Sequence, residues 1–482
     1  MIVGAGFGGL AAATELRRHG FDDVTILEAG DGVGGTWRHN TYPGAACDVP
    51  SHLYSFSFAQ RRAWERLCPT QPAILAYMEE TARDLGVDRI VEPKSKVVAC
   101  RWDDRSGHWE LTVSDGRIVT ADAVVVATGQ LHQPFVPAID GLHDFAGRVF
   151  HSAEWDHGHR LEGSRVAVIG TGASAVQFVP EVAERAAATF VFQRTANWFL
   201  PRRNRAYPRP YALAIRHVPG LQSLRRRAVY WYGEVLTATI RHPRTLGRAG
   251  KWISTMFIRS QVRDPALRLK LIPDYTFGCK RILFSSFFLP ALQRPDVELV
   301  TEEIERVTES AIVTADGRRR EVDCIVLGTG FRTGDFMFPM EITGADGMSL
   351  RDAWSEGPHA HLGMTVPGFP SLFLMYGPNT NTSGGSIIVY LEAQAAYIRQ
   401  AMEAVRARGS AAVDVRPEVE AASDATTQGR FAGTAWLRCD SWYRDSEGRI
   451  VANWPGYMHE YEEATRIFDP TEYMFVEAGG PA

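Results

Sequence analysis

The chain has no long apolar run, no C-x-x-C pair, no strong charge imbalance and no short-period repeat. Each absence removes a class of function. Without a run of about 20 apolar residues, no helix is expected to cross a bilayer. The apolar opening is broken at once by glycines, so it reads as a turn and not as a secretory leader. Cys47, Cys68, Cys100, Cys279, Cys324 and Cys439 are scattered. Neither a zinc site nor a dithiol centre is therefore expected, and this usage fits a reducing cytoplasm. A net charge of −4 gives no reason to expect a nucleic-acid partner. What remains is an ordinary globular composition: 482 residues, 45% hydrophobic and 22% charged. That is enough chain for two or three domains around a large core.

Against this plain background stand two glycine turns. The first is Gly4-Ala5-Gly6-Phe7-Gly8-Gly9, preceded by Ile2-Val3 and followed by helical spacing from Leu10 to His19. Val24-Thr25-Ile26-Leu27 reads as the next strand and ends in Glu28, 19 residues after Gly9. Glycines at Gly4, Gly6 and Gly9 let the backbone turn tightly and approach a pyrophosphate at a helix N-terminus. An acid at position 28 is placed to hold ribose hydroxyls. Only Met1, Ile2 and Val3 precede the turn, where a strand of about five residues is usual. A short first strand is expected to weaken flavin retention.

Past the acid, Gly34-Gly35-Thr36-Trp37 and Tyr42-Pro43-Gly44-Ala45-Ala46-Cys47-Asp48 form a long loop of small residues. A flat isoalloxazine ring needs such close backbone approach, so the first turn is read as an FAD site. The second turn is Gly170-Thr171-Gly172-Ala173-Ser174-Ala175, after the strand Arg165-Val166-Ala167-Val168-Ile169. Here alanine replaces the third glycine. Where an NAD site carries an acid, this chain has Gln193-Arg194-Thr195. The Arg194 guanidinium and Thr195 hydroxyl suit a 2′-phosphate, which favours NADPH.

The predicted fold class is therefore α/β, with two Rossmann-like dinucleotide-binding domains, the second inserted in the first, plus a helical insertion. The expected segments are 1–150 and 331–482 for FAD, the latter with a C-terminal tail, and 151–201 with 271–330 for NADP. Helical spacing over 72–87, and strands over 96–126 with a hairpin at Gly107, fit within this plan. Residues 202–270 hold many arginines but only Glu234 and Asp264 as acids, and aromatics interleave with them. They read as a helical insertion with a solvated basic face. The alternative is a surface that meets anionic lipid while admitting an apolar substrate.

Between the turns runs Phe145-Ala146-Gly147-Arg148-Val149-Phe150-His151-Ser152-Ala153-Glu154-Trp155-Asp156. This span resembles the F-x-G-x-x-x-H-x-x-x-W-[PD] signature of type I Baeyer–Villiger monooxygenases. The Gly-Gly-Thr-Trp and Tyr-Pro-Gly-Ala-Ala-Cys-Asp segments are similar to that family too. The likeness continues through Gly377-Pro378-Asn379 to Trp442 and Trp454.

The resemblance implies FAD and NADPH, hydride transfer to flavin, oxygen addition at flavin C4a, and attack of the peroxide on a ketone to give an ester or lactone. It implies that Arg281 is the catalytic arginine, Asp48 its orienting acid, and Lys280 a holder of the 2′-phosphate. Tyr54, Val97 and Ile387 are implied flavin neighbours beside Gly35, Thr36 and Trp37, with Val97 near the adenine. Trp442 resembles a tryptophan on a mobile loop over the nicotinamide. Phe145, Gly147, His151, Trp155 and Asp156 carry the signature, with His151 expected as a hinge and Trp155 as packing. Related flavin N- and S-oxygenating enzymes share part of this pattern and stay as the alternative. A nicotinamide–disulfide reductase needs a redox-active cysteine pair near the flavin, and Cys47 and Cys68, the nearest, lie 21 residues apart. A flavin-binding protein without turnover is the remaining reading.

Overall fold

The computed structural model describes residues 1–62, 64–202, 204, 206–332, 334, 336–445 and 447–477. Arg203 and Arg205 of the expected insertion, and 478–482 of the expected tail, lie outside them.

Two five-stranded parallel sheets organise the chain. The first has the spatial order Leu372–Leu374, Val124–Val126, Ile2–Val3, Ile26–Leu27, Val91–Glu92. The second has the order Val297–Val300, Ala188–Phe192, Arg165–Ile169, Cys324–Leu327, Arg148–His151. Strands of the first sheet thus come from both sides of the second in sequence. β-Branched runs such as Val124-Val125-Val126 suit these positions, because a parallel sheet is covered on both faces. The strand expected from Val24 begins only at Ile26, because its neighbours offer two residues each: Ile2 and Val3 on one side, Val91 and Glu92 on the other. Short as it is, Ile2–Val3 lies at the centre and is buried.

The helix after the first turn starts inside it, at Phe7, and runs to Arg18. Its alanines Ala11, Ala12 and Ala13 are buried in one core with Ile388, Leu391 and Ala395 of the Ile387–Arg408 helix. Such small residues let the two helices approach closely. The hairpin around Gly107 is present: Trp102 pairs directly with Trp109, and the buried Trp109 indole donates to the Pro370 carbonyl at 2.7 Å. The 202–270 stretch is helical, with helices Arg209–His217, Leu221–Arg241, Leu246–Gln261 and Pro265–Leu271. Among the described residues, no helix is long and apolar enough to cross a membrane.

One buried acid makes stability depend on pH. Asp414, in the strand Ala412–Val415, accepts from the Gly368 N–H at 2.9 Å, and its other oxygen has no partner among the described residues. Burial pushes its carboxyl up to about 7. The fold therefore favours the protonated form, while the unfolded chain ionises near pH 4. Stability from this group is full below the unfolded value and falls as pH rises toward 7. Asp414→Asn is expected to flatten that fall, read as a thermal midpoint followed from pH 5 to 8.

Candidate active site

The first turn is a cradle that only glycine fits. A Cβ on Gly9 would lie 1.9 Å from the Gly4 carbonyl oxygen, and Gly4 itself has φ +103°. A Cβ on Gly35 would come within 3.0 Å of the Gly6 Cα, so loop and turn meet backbone to backbone. Glu28 is buried and accepts from the Ala5 and Gly30 N–H groups, both at 2.7 Å. These bonds fix the carboxylate beneath the turn, and its oxygens keep lone pairs for ribose hydroxyls. A cavity of about 1050 Å³ opens here. Gly4, Gly6, Glu28, Gly35, Thr36, Trp37, Asp48, Tyr54, Val97, Ile387 and Arg281 line it. The Trp37 indole donates to the Tyr54 hydroxyl at 3.0 Å, which holds both rings on the wall. Gly9 packs the turn from behind.

At the second turn Gly170 has φ +107°, and a Cβ there would lie 2.4 Å from the Gly328 carbonyl oxygen. Space beside Gly172 is open. The buried Ala175 sits against Gly328, which explains why a methyl is tolerated at the third position. Asn197 donates to the Thr171 carbonyl at 2.9 Å. Ala173 and Ser174 reach the same cavity as the first turn. Arg194 and Thr195 follow the strand Ala188–Phe192. Burial first, and the Arg194 charge next, push the Lys280 ammonium below its usual range. The Arg194 charge is thus felt at Lys280, whose ammonium lies 5.1 Å from the centroid of the Tyr275 ring.

Arg281 sits on a loop fixed from several sides. Gly278 has φ +81°, and a Cβ there would meet Ile240 at 2.7 Å. Just after Arg281, the strand Leu283–Phe284 pairs with Phe199–Leu200. Arg281 Nη2 donates to both Asp48 oxygens, at 3.2 and 3.0 Å. The arginine side chain is 44% accessible, and the cavity that it lines borders this surface. Burial alone would raise the Asp48 carboxyl, but the Arg281 guanidinium, by charge and hydrogen bond, and then Arg202 hold it below the usual range. Asp48 in turn holds the guanidinium proton more firmly. The Asp48 loop is anchored to the second nucleotide unit. Gln177 exchanges hydrogen bonds with Ala46 at 3.1 and 2.8 Å, and a Cβ on Gly44 would lie 2.7 Å from the Gln177 carbonyl.

The signature span is mostly architecture. A Cβ on Gly147 would lie 2.4 Å from the Asp323 carbonyl and 2.6 Å from the Phe145 ring. Asp156 accepts from Arg148 at 2.7 Å and from the Gly158 N–H at 2.9 Å. Trp155 packs on Phe150 and Phe178, with ring centroids 5.2 and 5.3 Å away. His151 is buried and accepts from the Ala153 N–H at 3.1 Å. Burial lowers its basicity.

The expected nicotinamide cover, Trp442, is exposed, and its ring is tilted against that of Tyr443 with centroids 4.1 Å apart. Tyr443 is the residue that lines the cavity. Its phenol, pushed up to about 12 by burial, stays neutral and is hydrogen-bonded to Asn453. Asn381 donates to Asn453 at 2.8 Å, and the Tyr376 hydroxyl donates to Asn381 at 2.8 Å. Tyr376, Asn381 and Tyr443 thus form a polar wall near Arg281 that sequence reading missed. The nearest signal is the run Trp442-Tyr443, where the resemblance points to the tryptophan.

The cysteine reading needs a correction. Cys279 and Cys439 form a disulfide across 160 residues. Only the folded chain brings them together, so no local spacing announces the pair. Cys47 and Cys68 are free and buried. The bond ties the Arg281 loop to the segment that leads into Tyr443. Closing so long a loop is worth about 3–5 kcal/mol in chain entropy. Cys279→Ser with Cys439→Ser is expected to lower the denaturant midpoint, whereas Cys47→Ser leaves it near the wild-type value.

Residues 1–242 match the flavin-binding monooxygenase-like family. A Baeyer–Villiger monooxygenase of Streptomyces coelicolor is 42% identical over 477 residues, covering 98% of this chain and 92% of that protein. Among solved structures, an oxidized steroid monooxygenase bound to NADP superposes with TM-score 0.88 at 30% identity, covering 99% of both chains. OTEMO in complex with FAD and NADP gives TM-score 0.87 at 26% identity over 96% of each chain. Glycine turns, paired arginine and aspartate, and these likenesses over nearly the full length agree: the chain belongs to the flavin-binding monooxygenase-like family and, within it, to the Baeyer–Villiger monooxygenases.

Proposed function

We propose that this chain is an FAD- and NADPH-dependent monooxygenase that inserts one oxygen atom of O2 beside a ketone carbonyl. The balance is ketone, O2, NADPH and a proton giving ester or lactone, NADP+ and water. When bound, FAD supplies the electron storage and oxygen chemistry. The chain's part is to hold, orient and keep dry. Gly4, Gly6, Gly9 and Glu28 hold the first dinucleotide, with Thr36, Trp37, Tyr54, Val97 and Ile387 along its length. Gly170 to Ala175 take the second pyrophosphate, and Arg194, Thr195 and Lys280 take its 2′-phosphate.

Arg281 is the catalytic cation. Its permanent charge stabilises negative oxygen without donating a proton early. Asp48 orients it. The observation that supports this reading is that guanidinium, aspartate and flavin-turn glycines line one cavity. The substrate is a small ketone, and we place the enzyme in the cytoplasm.

The test is anaerobic reduction with NADPH, then air and a panel of ketones, sulfides and amines. Bleaching on reduction followed by ester or lactone formation is the expected result. Oxygenation of sulfides or amines with no ketone converted would assign the chain to the sister chemistry instead.

A further inference from the structure

The 202–270 segment separates charge from the rest of the protein. It carries fourteen arginines and two lysines against Glu234 and Asp264, in a chain whose overall charge is −4. Only Asp264 offsets this at the surface from within the segment, while Glu392, Glu460 and Glu302 from outside it pair with Arg226, Arg241 and Lys270. Glu234 is buried and accepts from the Met458 and His459 N–H groups, and Asp264 caps the Pro265–Leu271 helix.

The same segment exposes apolar side chains in rows. On the Leu221–Arg241 helix, Leu224, Ala228, Trp231 and Val235 fall at steps of four, three and four, which puts them on one face. Trp231 is 59% exposed and Val235 61%. On the Leu246–Gln261 helix, Leu246, Ala249, Ile253 and Met256 form a second exposed row, with Trp252 beside it at 64%. Exposed cations accompany both rows: Arg227 on the first helix, Arg248, Lys251 and Arg259 on the second. Single exposed apolar residues are ordinary, but apolar rows of this kind rimmed by cations mark interaction surfaces.

The first of these helices is also a wall of the cavity. Arg225, Ala228, Val229, Tyr232 and Leu236 line it. Ala228 and Tyr232 are both exposed and cavity-lining, so the cavity meets the outer surface there.

We infer that the exposed faces of the Leu221–Arg241 and Leu246–Gln261 helices dock on an anionic lipid surface, with the cavity mouth at Ala228 and Tyr232 turned toward it. Three alternatives weigh differently against the observations. A solvated basic face, the simpler expectation from sequence, accounts for the arginines but not for the aligned Leu224, Trp231 and Val235. A second copy of the chain brings one cationic face against another and is repelled. A nucleic acid takes the arginines but gains nothing from Leu224, Val235 or Ile253. An anionic bilayer takes both: headgroups pair with the cations, and the interface accepts tryptophan and aliphatic side chains.

The experiment is flotation of the FAD-loaded enzyme with vesicles of phosphatidylcholine alone, and of phosphatidylcholine with phosphatidylglycerol. Binding is expected only to the anionic vesicles and is expected to fall as salt screens the cations. Trp231→Ser with Trp252→Ser is expected to weaken partitioning by about tenfold or more, since each change removes a large apolar contact. FAD content, thermal midpoint and NADPH oxidation with a water-soluble ketone are expected to stay at wild-type values. The proposal is overturned by no binding to anionic vesicles at low salt, by vesicle binding unchanged by the tryptophan substitutions, or by a stable dimer that the same substitutions dissociate. Binding to a DNA duplex in place of vesicles overturns it as well.

Discussion

Arg281→Ala is expected to lower ester formation by about a hundred- to a thousandfold, the range seen when one donor to a developing oxyanion is removed. Reduction of the flavin by NADPH is expected to continue, because the turns that hold both nucleotides do not use this side chain. Stopped-flow reduction and product yield separate the two. The substitution also exposes what the pair does for Asp48. In the wild type, Arg281 keeps the buried carboxyl ionised below its ordinary range, so this contribution is present at all pH values above that range and lost only in strong acid. Without Arg281, burial dominates and the Asp48 value rises. The acid limb of the residual pH profile is expected to move upward accordingly. Arg281→Lys restores a charge but not the flat fork, so only partial recovery is expected.

Lys280→Ala is expected to raise the KM for NADPH by about 10- to 150-fold, the worth of one charge-assisted bond to phosphate, while the KM for NADH stays in place. The Arg194 charge helps push the Lys280 ammonium below its usual range, and a 2′-phosphate beside Lys280 would relieve that cost. Arg194→Ala is expected to act in the same direction. The double substitution should fall short of the product of the two effects, because both groups hold one phosphate. Steady-state kinetics with both nucleotides reads all four forms. Equal losses with NADH and NADPH would mean that Lys280 shapes the loop and not the phosphate site.

Both nucleotide turns were legible because their chemistry imposes a local backbone demand. Gly9 must be glycine when 1.9 Å separates its missing Cβ from Gly4, and such a demand is written in adjacent residues. Gly147 is legible only through the signature, because the Asp323 carbonyl that leaves no room for a Cβ there lies far away in sequence. Lys280 and Arg281 were found by resemblance, since nothing in their spacing points to Asp48, which lies 233 positions earlier. What stayed hidden depends on closure of the fold. Cys279 meets Cys439 only when the tail returns across the Arg281 loop. Tyr443 and Trp442 are neighbours in sequence, and only packing decides which ring turns inward. The 202–270 helices were foreseen as helices. Which of their faces borders the cavity was not, because both faces carry apolar residues.

The interleaved strand order also sets a timetable for synthesis. Ile2–Val3 leave the ribosome long before Leu372–Leu374, so the sheet around them closes only when that strand emerges and the Ile387–Arg408 helix covers it. The second sheet is complete by Leu327. The later-starting half of the nascent chain is therefore free to fold first. Meanwhile Ile2–Val3 and the first glycine turn wait for partners that lie more than 350 residues further along the chain.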